Sequence, residues 1–195
     1  MSDLQALLSE VRGCSVCADH LPLGPRPVVS FGVDARVAIV GQAPGTRVHA
    51  SGVPWDDASG DHLREWLGVD RECLLHSGAF AIVPMGFCYP GRRGGGDAPP
   101  RHECAPLWHD RILGALPSLR LTLLVGQYAQ RYYLAERRKK TLTATVEAFE
   151  SYLPDYLPLP HPSWRSRGWR SKNPWFDTDL LPRLQALVGE AVSGV

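Results

Sequence analysis

A single asparagine, Asn173, occurs in 195 residues, and lysine is nearly as scarce, with three of the 21 basic side chains and arginine supplying the rest. Excess charge of either sign is missing too. A formal balance of +1 gives no global field that would gather a polyanion, so a nucleic-acid partner would have to be met by local basic patches. No apolar run approaches the roughly twenty residues that a membrane-spanning helix needs. The opening Met1-Ser2-Asp3-Leu4 lacks a signal-peptide pattern, so the expected location is the cytoplasm, with no membrane partner. Five cysteines in that setting are expected to be reduced, which removes disulfides as their default explanation. Internal repeats, low-complexity tracts and interdomain linkers are absent, and the length suits one domain over 1–195, expected as a monomer.

What is present is an alternation of strands and helices. Leu4, Leu7, Leu8 and Val11 recur at helical spacing over 2–12. Val37-Ala38-Ile39-Val40 is a short apolar run closed by glycine, the mark of a strand covered on both faces. A helix is expected at Asp61–Gly68, strands at Phe80–Val83, Leu121–Val125 and Tyr156–Pro160, and helices at Pro106–Leu116 and Tyr128–Leu134. The last helix is placed at Thr178–Val188, with Thr178 as N-cap and Leu180, Leu181, Leu184 and Leu187 inward. Pro90–Pro100 reads as a long loop. This order implies a three-layer α/β/α fold around a central, mostly parallel four-stranded sheet.

The unusual residues fall just past the ends of those strands: Gly41-Gln42-Ala43-Pro44-Gly45, Pro84–Cys88, Gly126-Gln127 and His161-Pro162-Ser163-Trp164-Arg165. In a parallel sheet these ends share one edge, where ligands bind, so motifs spread over more than a hundred residues converge there. His161, between two prolines, has a stiff backbone on both sides that can aim its imidazole. Arg92-Arg93, Arg137–Lys140 and the group Arg165, Arg167, Arg170 and Lys172 are basic clusters, each ordinary solvated charge if taken alone.

Cys14-x-x-Cys17, Gly41-x-x-Pro44-Gly45, Gly52-Val53-Pro54-Trp55, Cys88, Cys104 and His161-Pro162-Ser163 form an ordered set that resembles the uracil-DNA glycosylase superfamily, and within it the iron–sulfur branch called family 4. The resemblance implies hydrolysis of the N-glycosidic bond of uracil, or another deaminated base, flipped out of DNA to leave an abasic site. That chemistry develops negative charge on the departing base, and His161 is implied as the hydrogen-bond donor that steadies it at O2. Gly41, Ala43, Trp55, Met85, Gly86 and Phe87 are implied around the base, with Trp55 stacking on it. Ser163, Arg165 and Arg167 are implied on the DNA side, Ser163 at a phosphate and Arg165 as the wedge that fills the vacated stack. Cys14, Cys17, Cys88 and Cys104 are implied as ligands of a [4Fe–4S] cluster, structural zinc being the alternative. Cys73 lies outside the set as a small buried hydrophobe.

The chain also departs from that pattern. Gln42 and Ala43 stand where relatives place an acidic or amide side chain for the attacking water, leaving Gln42, His49, Asp56 and Asp57 as candidates. Pro84 stands where family 4 has the asparagine that reads uracil, so recognition is expected to fall to backbone groups around Met85-Gly86-Phe87, to Gln42 or to another side chain. A noncatalytic protein that binds lesions or abasic sites is therefore the second reading.

Overall fold

The computed structural model describes residues 3–164 and 166–194. Four strands, β1 (Val37–Val40), β2 (Phe80–Ile82), β5 (Leu121–Val125) and β6 (Tyr156–Leu159), form one sheet in the order β2-β1-β5-β6, with every pairing parallel. Val37 sits opposite both Phe80 and Leu121, and Thr122 opposite Tyr156.

Alternate side chains sort cleanly to the two faces, as the two-residue period of a strand requires. Val37, Ile39, Leu123 and Leu157 join a core with Leu63, Trp66 and Leu67 of α3 (Ala58–Leu67) and with Leu184 and Val188 of α9 (Leu181–Ser193). On the other face, Ala38 and Ala81 pack with Leu7 and Val11 of α1 (Asp3–Arg12) and with Trp108 and Ile112 of α5 (Cys104–Gly114). Val40 and Leu124 on that side meet Ala129 and Leu134 of α6 (Gln127–Leu134). The three-layer α/β/α fold is thus present, its sheet wholly rather than mostly parallel.

Chain order and strand order reverse between β1 and β5: the path leaves β1 for β2 on one side, then crosses to β5 on the other. Connections departing in opposite directions open a crevice at the carboxyl ends of these strands. Gln42–Gly45, Pro84 and His161, from three of the strand-end motifs, border it.

Several local expectations are corrected. Helix α3 begins at Ala58, because Asp57 caps it by accepting from the Gly60 N–H at 2.8 Å. Thr178 caps nothing: it lies within a wider turn, Phe176–Leu180, that runs directly into α9, and its hydroxyl is bonded to Asp179. Within the supposed loop Pro90–Pro100, β3 (Arg92–Arg93) and β4 (Gly96–Asp97) pair as an antiparallel hairpin. Its two-residue turn has positive φ at both Gly94 (59°) and Gly95 (81°), the geometry that suits strand twist and that glycine adopts without strain. Helices α2 (Thr46–Ser51), α4 (Arg71–His76), α7 (Leu142–Glu147) and α8 (Ser166–Arg170) span five or six residues each, too few to show a periodicity. No helix among the described residues is long and apolar enough to cross a membrane.

Candidate active site

The segment after β6 is fixed from below and from the side. Leu159 O accepts from Gly126 N and from the buried Gln130 Nε2, both at 2.8 Å, which ties the ends of β5 and β6 together beneath His161. Gly126 has φ of 88°, a backbone conformation that glycine adopts without strain, and it lies against His161, whose Cβ is 3.6 Å from the position of a Cβ built there. The carbonyl of Pro162 faces His62 Nδ1 at 3.2 Å; it can only accept, so that nitrogen carries the proton. Ser163 N donates to His161 O at 2.8 Å.

His161 borders a cavity of about 100 Å³, whose polar walls also include Gln42, Asp57, Ser59 and Asp97 and whose apolar walls include Trp55 and Pro84. A void of roughly 150 Å³ is known to accept a benzene ring. The space here is of that order, suited to one small planar ring rather than to a large ligand.

Trp55 is held there by unusual backbone. Its φ of 55° lies in the left-handed region, costly for a bulky side chain. Two glycines make the arrangement possible. A Cβ on Gly60 would fall 1.8 Å from Trp55 O, and one on Gly41 would fall 2.8 Å from Trp55 Cζ2. The Trp55 and His161 rings are 6.2 Å apart and tilted by 41°. A guest ring sandwiched between two parallel faces needs roughly 7 Å, twice a van der Waals contact, so these rings are adjoining walls of the cavity rather than opposed jaws.

Burial pushes the His161 pKa down, while the negative charges of Asp57 and Asp97 pull it part of the way back. The imidazole is therefore neutral at neutral pH, with one N–H to donate. Burial pushes the Asp97 carboxyl up, against the attraction of Arg92 and His161 and with the repulsion of Asp57. Neutral donor, two acidic neighbours and an aromatic wall line one crevice at the sheet edge. The model of the Uracil DNA glycosylase superfamily matches residues 29–185, which include this whole constellation. The chain belongs to that superfamily. Membership brings DNA glycosylase chemistry and DNA binding as the general expectation for this site.

Within this superfamily member, other anticipated residues lie elsewhere. Asp56 accepts from Arg71 at 2.8 Å outside the cavity, and that guanidinium holds its carboxyl below the usual range. His49 faces Tyr89, with ring centroids 6.1 Å apart, and does not border the cavity. The backbone of 84–87 is spent internally: Met85 N donates to Gly41 O and Gly86 N to Gln42 O, both at 2.9 Å, Phe87 N to the Cys104 sulfur, and Pro84 O accepts from His109. Those three N–H groups are not available to a base. Met85 instead borders a separate groove with Tyr128, Arg131 and Tyr132, and the Phe87 ring lies in the core, stacked on His109 at 5.8 Å.

Gly41, Gln42 and Ala43 do form the turn beside His161, and Gln42 Nε2 reaches Ala98 O at 3.4 Å. Ser163 follows the histidine, Arg167 is exposed on α8, and Arg165 lies outside the described residues. Arg170 is bonded to Asp177 and lies over the Phe176 ring, a structural engagement rather than a groove contact. Two residues were given no role in the sequence reading. Asp97 enters from the hairpin, and Trp164, beside the histidine turn, is 72% exposed. Only the exposure of that tryptophan distinguishes it from core, and exposure is not written in sequence.

Cys14, Cys17, Cys88 and Cys104 line one small pocket with Phe87 and Arg101, although they come from three separate segments. The remaining space is about 10 Å³, room for a water at most. Burial pushes the Cys88 thiol up to about 11 and the Cys104 thiol to about 12, and backbone N–H groups of Arg26 and Phe87 bond to these two sulfurs. The donor chemistry suits a sulfur-liganded metal group: four thiols, two of them receiving N–H bonds, with the acid Glu103 paired to Arg101. Among the described residues, no three or more His, Cys, Asp or Glu side chains are arranged to hold a metal ion. Cys73 is half-buried against the main core, consistent with an apolar role.

Proposed function

We propose that this chain hydrolyses the N-glycosidic bond of uracil, and of related deaminated bases, extruded from DNA into the cavity below His161. One observation carries the reading: the imidazole, neutral and fixed by the surrounding turn, borders a one-ring cavity beside Trp55. Breaking the bond leaves the electron pair on the base, and a neutral N–H at its O2 stabilises that anion without giving up a full proton. Trp55 offers a face to the guest, which stacking retains whatever its identity. Identity then rests on the polar walls, chiefly the Gln42 amide and Ser59, since Pro84 brings no side-chain donor and its carbonyl is engaged.

The four-cysteine pocket is proposed as the seat of a [4Fe–4S] cluster, which supplies structural cross-linking rather than chemistry at the base. Support comes from the donor set, the N–H bonds to sulfur and the family resemblance. Each thiolate of such a cluster binds a different iron, so the four surround the group instead of meeting at one ion. Taking it requires the pocket walls to move apart.

The test is a uracil-containing oligonucleotide incubated with the protein and then cleaved with alkali. Strand scission is expected, and His161→Ala should slow it by about 100- to 1000-fold with the thermal transition unchanged. Tight binding without scission by the unaltered chain overturns the catalytic reading.

A further inference from the structure

We propose that Asp97, delivered to the cavity by the β3–β4 hairpin, is a catalytic residue that takes the proton of the attacking water. The assignment rests on the glycosylase reading and supplies the group that its reaction lacks. Gln42 cannot act as a base and its amide is turned to Ala98 O, Asp56 is held by Arg71, and His49 lies against Tyr89. Two carboxylates remain in the cavity. They share a corner: from the Cβ position on Gly45, Asp97 Oδ2 is 3.5 Å away and Asp57 Oδ2 is 3.9 Å away.

Their engagements separate them. Asp57 is fixed as the cap of α3 through Gly60 N. Asp97, unlike Asp56, Asp61 and Asp177, forms no ion pair among the described residues. The charged and titratable groups that act on it are Arg92 from β3, His161 from beyond β6 and Asp57 before α3. Its basicity is enhanced by partial burial, as a proton acceptor requires. The hairpin is anchored at the site, because Asp97 pairs with Arg92 across the strands and the Gln42 amide bonds the next carbonyl along.

The step balances as follows. Water oxygen forms the new bond to the sugar C1′, the C1′–N pair departs with the base, and the His161 N–H holds the resulting anion. The proton released by water passes to Asp97 and then to solvent. Water is the only co-reactant.

Single-turnover excision of uracil from an oligonucleotide, measured against pH, tests the assignment in Asp97→Asn, Asp97→Glu and Asp57→Asn. Asp97→Asn should be slower by about 100-fold or more, with oligonucleotide affinity within about threefold of the parent. The acid limb of the parent's profile should vanish in that variant and return, at partial rate, in Asp97→Glu. A merely structural hairpin contact would weaken binding and leave the limb in place. Asp97→Asn at near-parental rate with the limb intact, or the limb lost only in Asp57→Asn, overturns the assignment while the His161 result still upholds the glycosylase. A parent chain inert on every deaminated base overturns both.

Discussion

The cavity under His161 and the pocket between the four cysteines are built alike, from residues far apart in the chain that meet in space, yet they are opposite in character. The first holds about 100 Å³ of space and is bordered by Gln42, Asp57, Ser59, Asp97 and His161. The second is nearly filled, and its thiols are pushed up to about 11 and 12 by burial. Open space, acidic side chains and an imidazole donor suit a guest that enters and leaves. A closed wall of thiols suits a group that stays. Convergence of spaced motifs therefore locates a site, and the solvation of what converges indicates whether it is for turnover or for architecture.

The comparison is most easily broken at Cys104. If the pocket holds a resident cluster, Cys104→Ser should abolish the visible absorbance of anaerobically purified protein and cost about 4 kcal/mol or more. At roughly 2–4 °C per kcal/mol for a chain of this size, the thermal midpoint should fall by about 10 °C. A buried thiol without a ligand role would lose no colour and only a few degrees. Excision by the fraction that remains folded should stay near the parent rate, since no thiol borders the cavity.

The legibility of the two regions in sequence differs for physical reasons. The four core strands are plain because strands covered on both faces must be apolar throughout, and β1, β2 and β5 are buried at every position. His161 and Gln42 are plain because each follows a strand end within a spaced motif, and Trp55 because it closes the spaced Gly52-Val53-Pro54-Trp55 motif. Asp97 was hidden: two-residue strands leave no periodic trace, and the triple glycine that makes the turn reads equally well as a loop. The misplacement of Met85 and Phe87 has the opposite cause. Their position after β2 was read correctly, but sequence does not say which backbone groups the neighbouring Gly41–Gln42 turn and Cys104 already use.

One residue joins the two regions. His109 is wholly buried on α5; its Nε2 donates to Pro84 O at 3.1 Å, on the cavity wall, and its ring stacks on Phe87, on the cysteine side. With Nε2 protonated, Nδ1 accepts from the Tyr133 hydroxyl at 2.6 Å. Burial pushes its pKa down to about 4 from an ordinary 6.5. The unfolded chain then binds the proton first, so stability is lost as pH falls from about 6.5 toward 4, by about 3 kcal/mol at ~1.4 kcal/mol per unit. His161, also pushed down, adds in the same direction. The paired carboxylates Glu10, Asp56 and Glu103 are pushed down as well and lose their contribution only at lower pH. Denaturant unfolding at pH 7 and pH 5 should therefore show a decline that is reduced in His109→Gln. An undiminished decline would mean that the bridge between the two regions is not where protons act.

The smallest effects belong to the exposed segment that follows His161, where Trp164 and Arg167 should separate stacking from charge. Trp164 is largely exposed although it is the kind of side chain that folding normally covers, and it follows the histidine turn directly. If it stacks on a nucleobase, Trp164→Ala should weaken oligonucleotide binding by about 1–3 kcal/mol with an unchanged salt dependence, because no counterion is released by stacking. Arg167, exposed on α8, offers the complementary result. In a chain with a net charge of +1, each phosphate contact is a local one, so Arg167→Ala should reduce the slope of log affinity against log salt by about one and weaken binding nearly equally for all sequences. Affinity measured by titration between low and moderate salt distinguishes the two. A parental slope near zero would remove phosphate contact from this segment and leave the cavity to be reached by stacking alone.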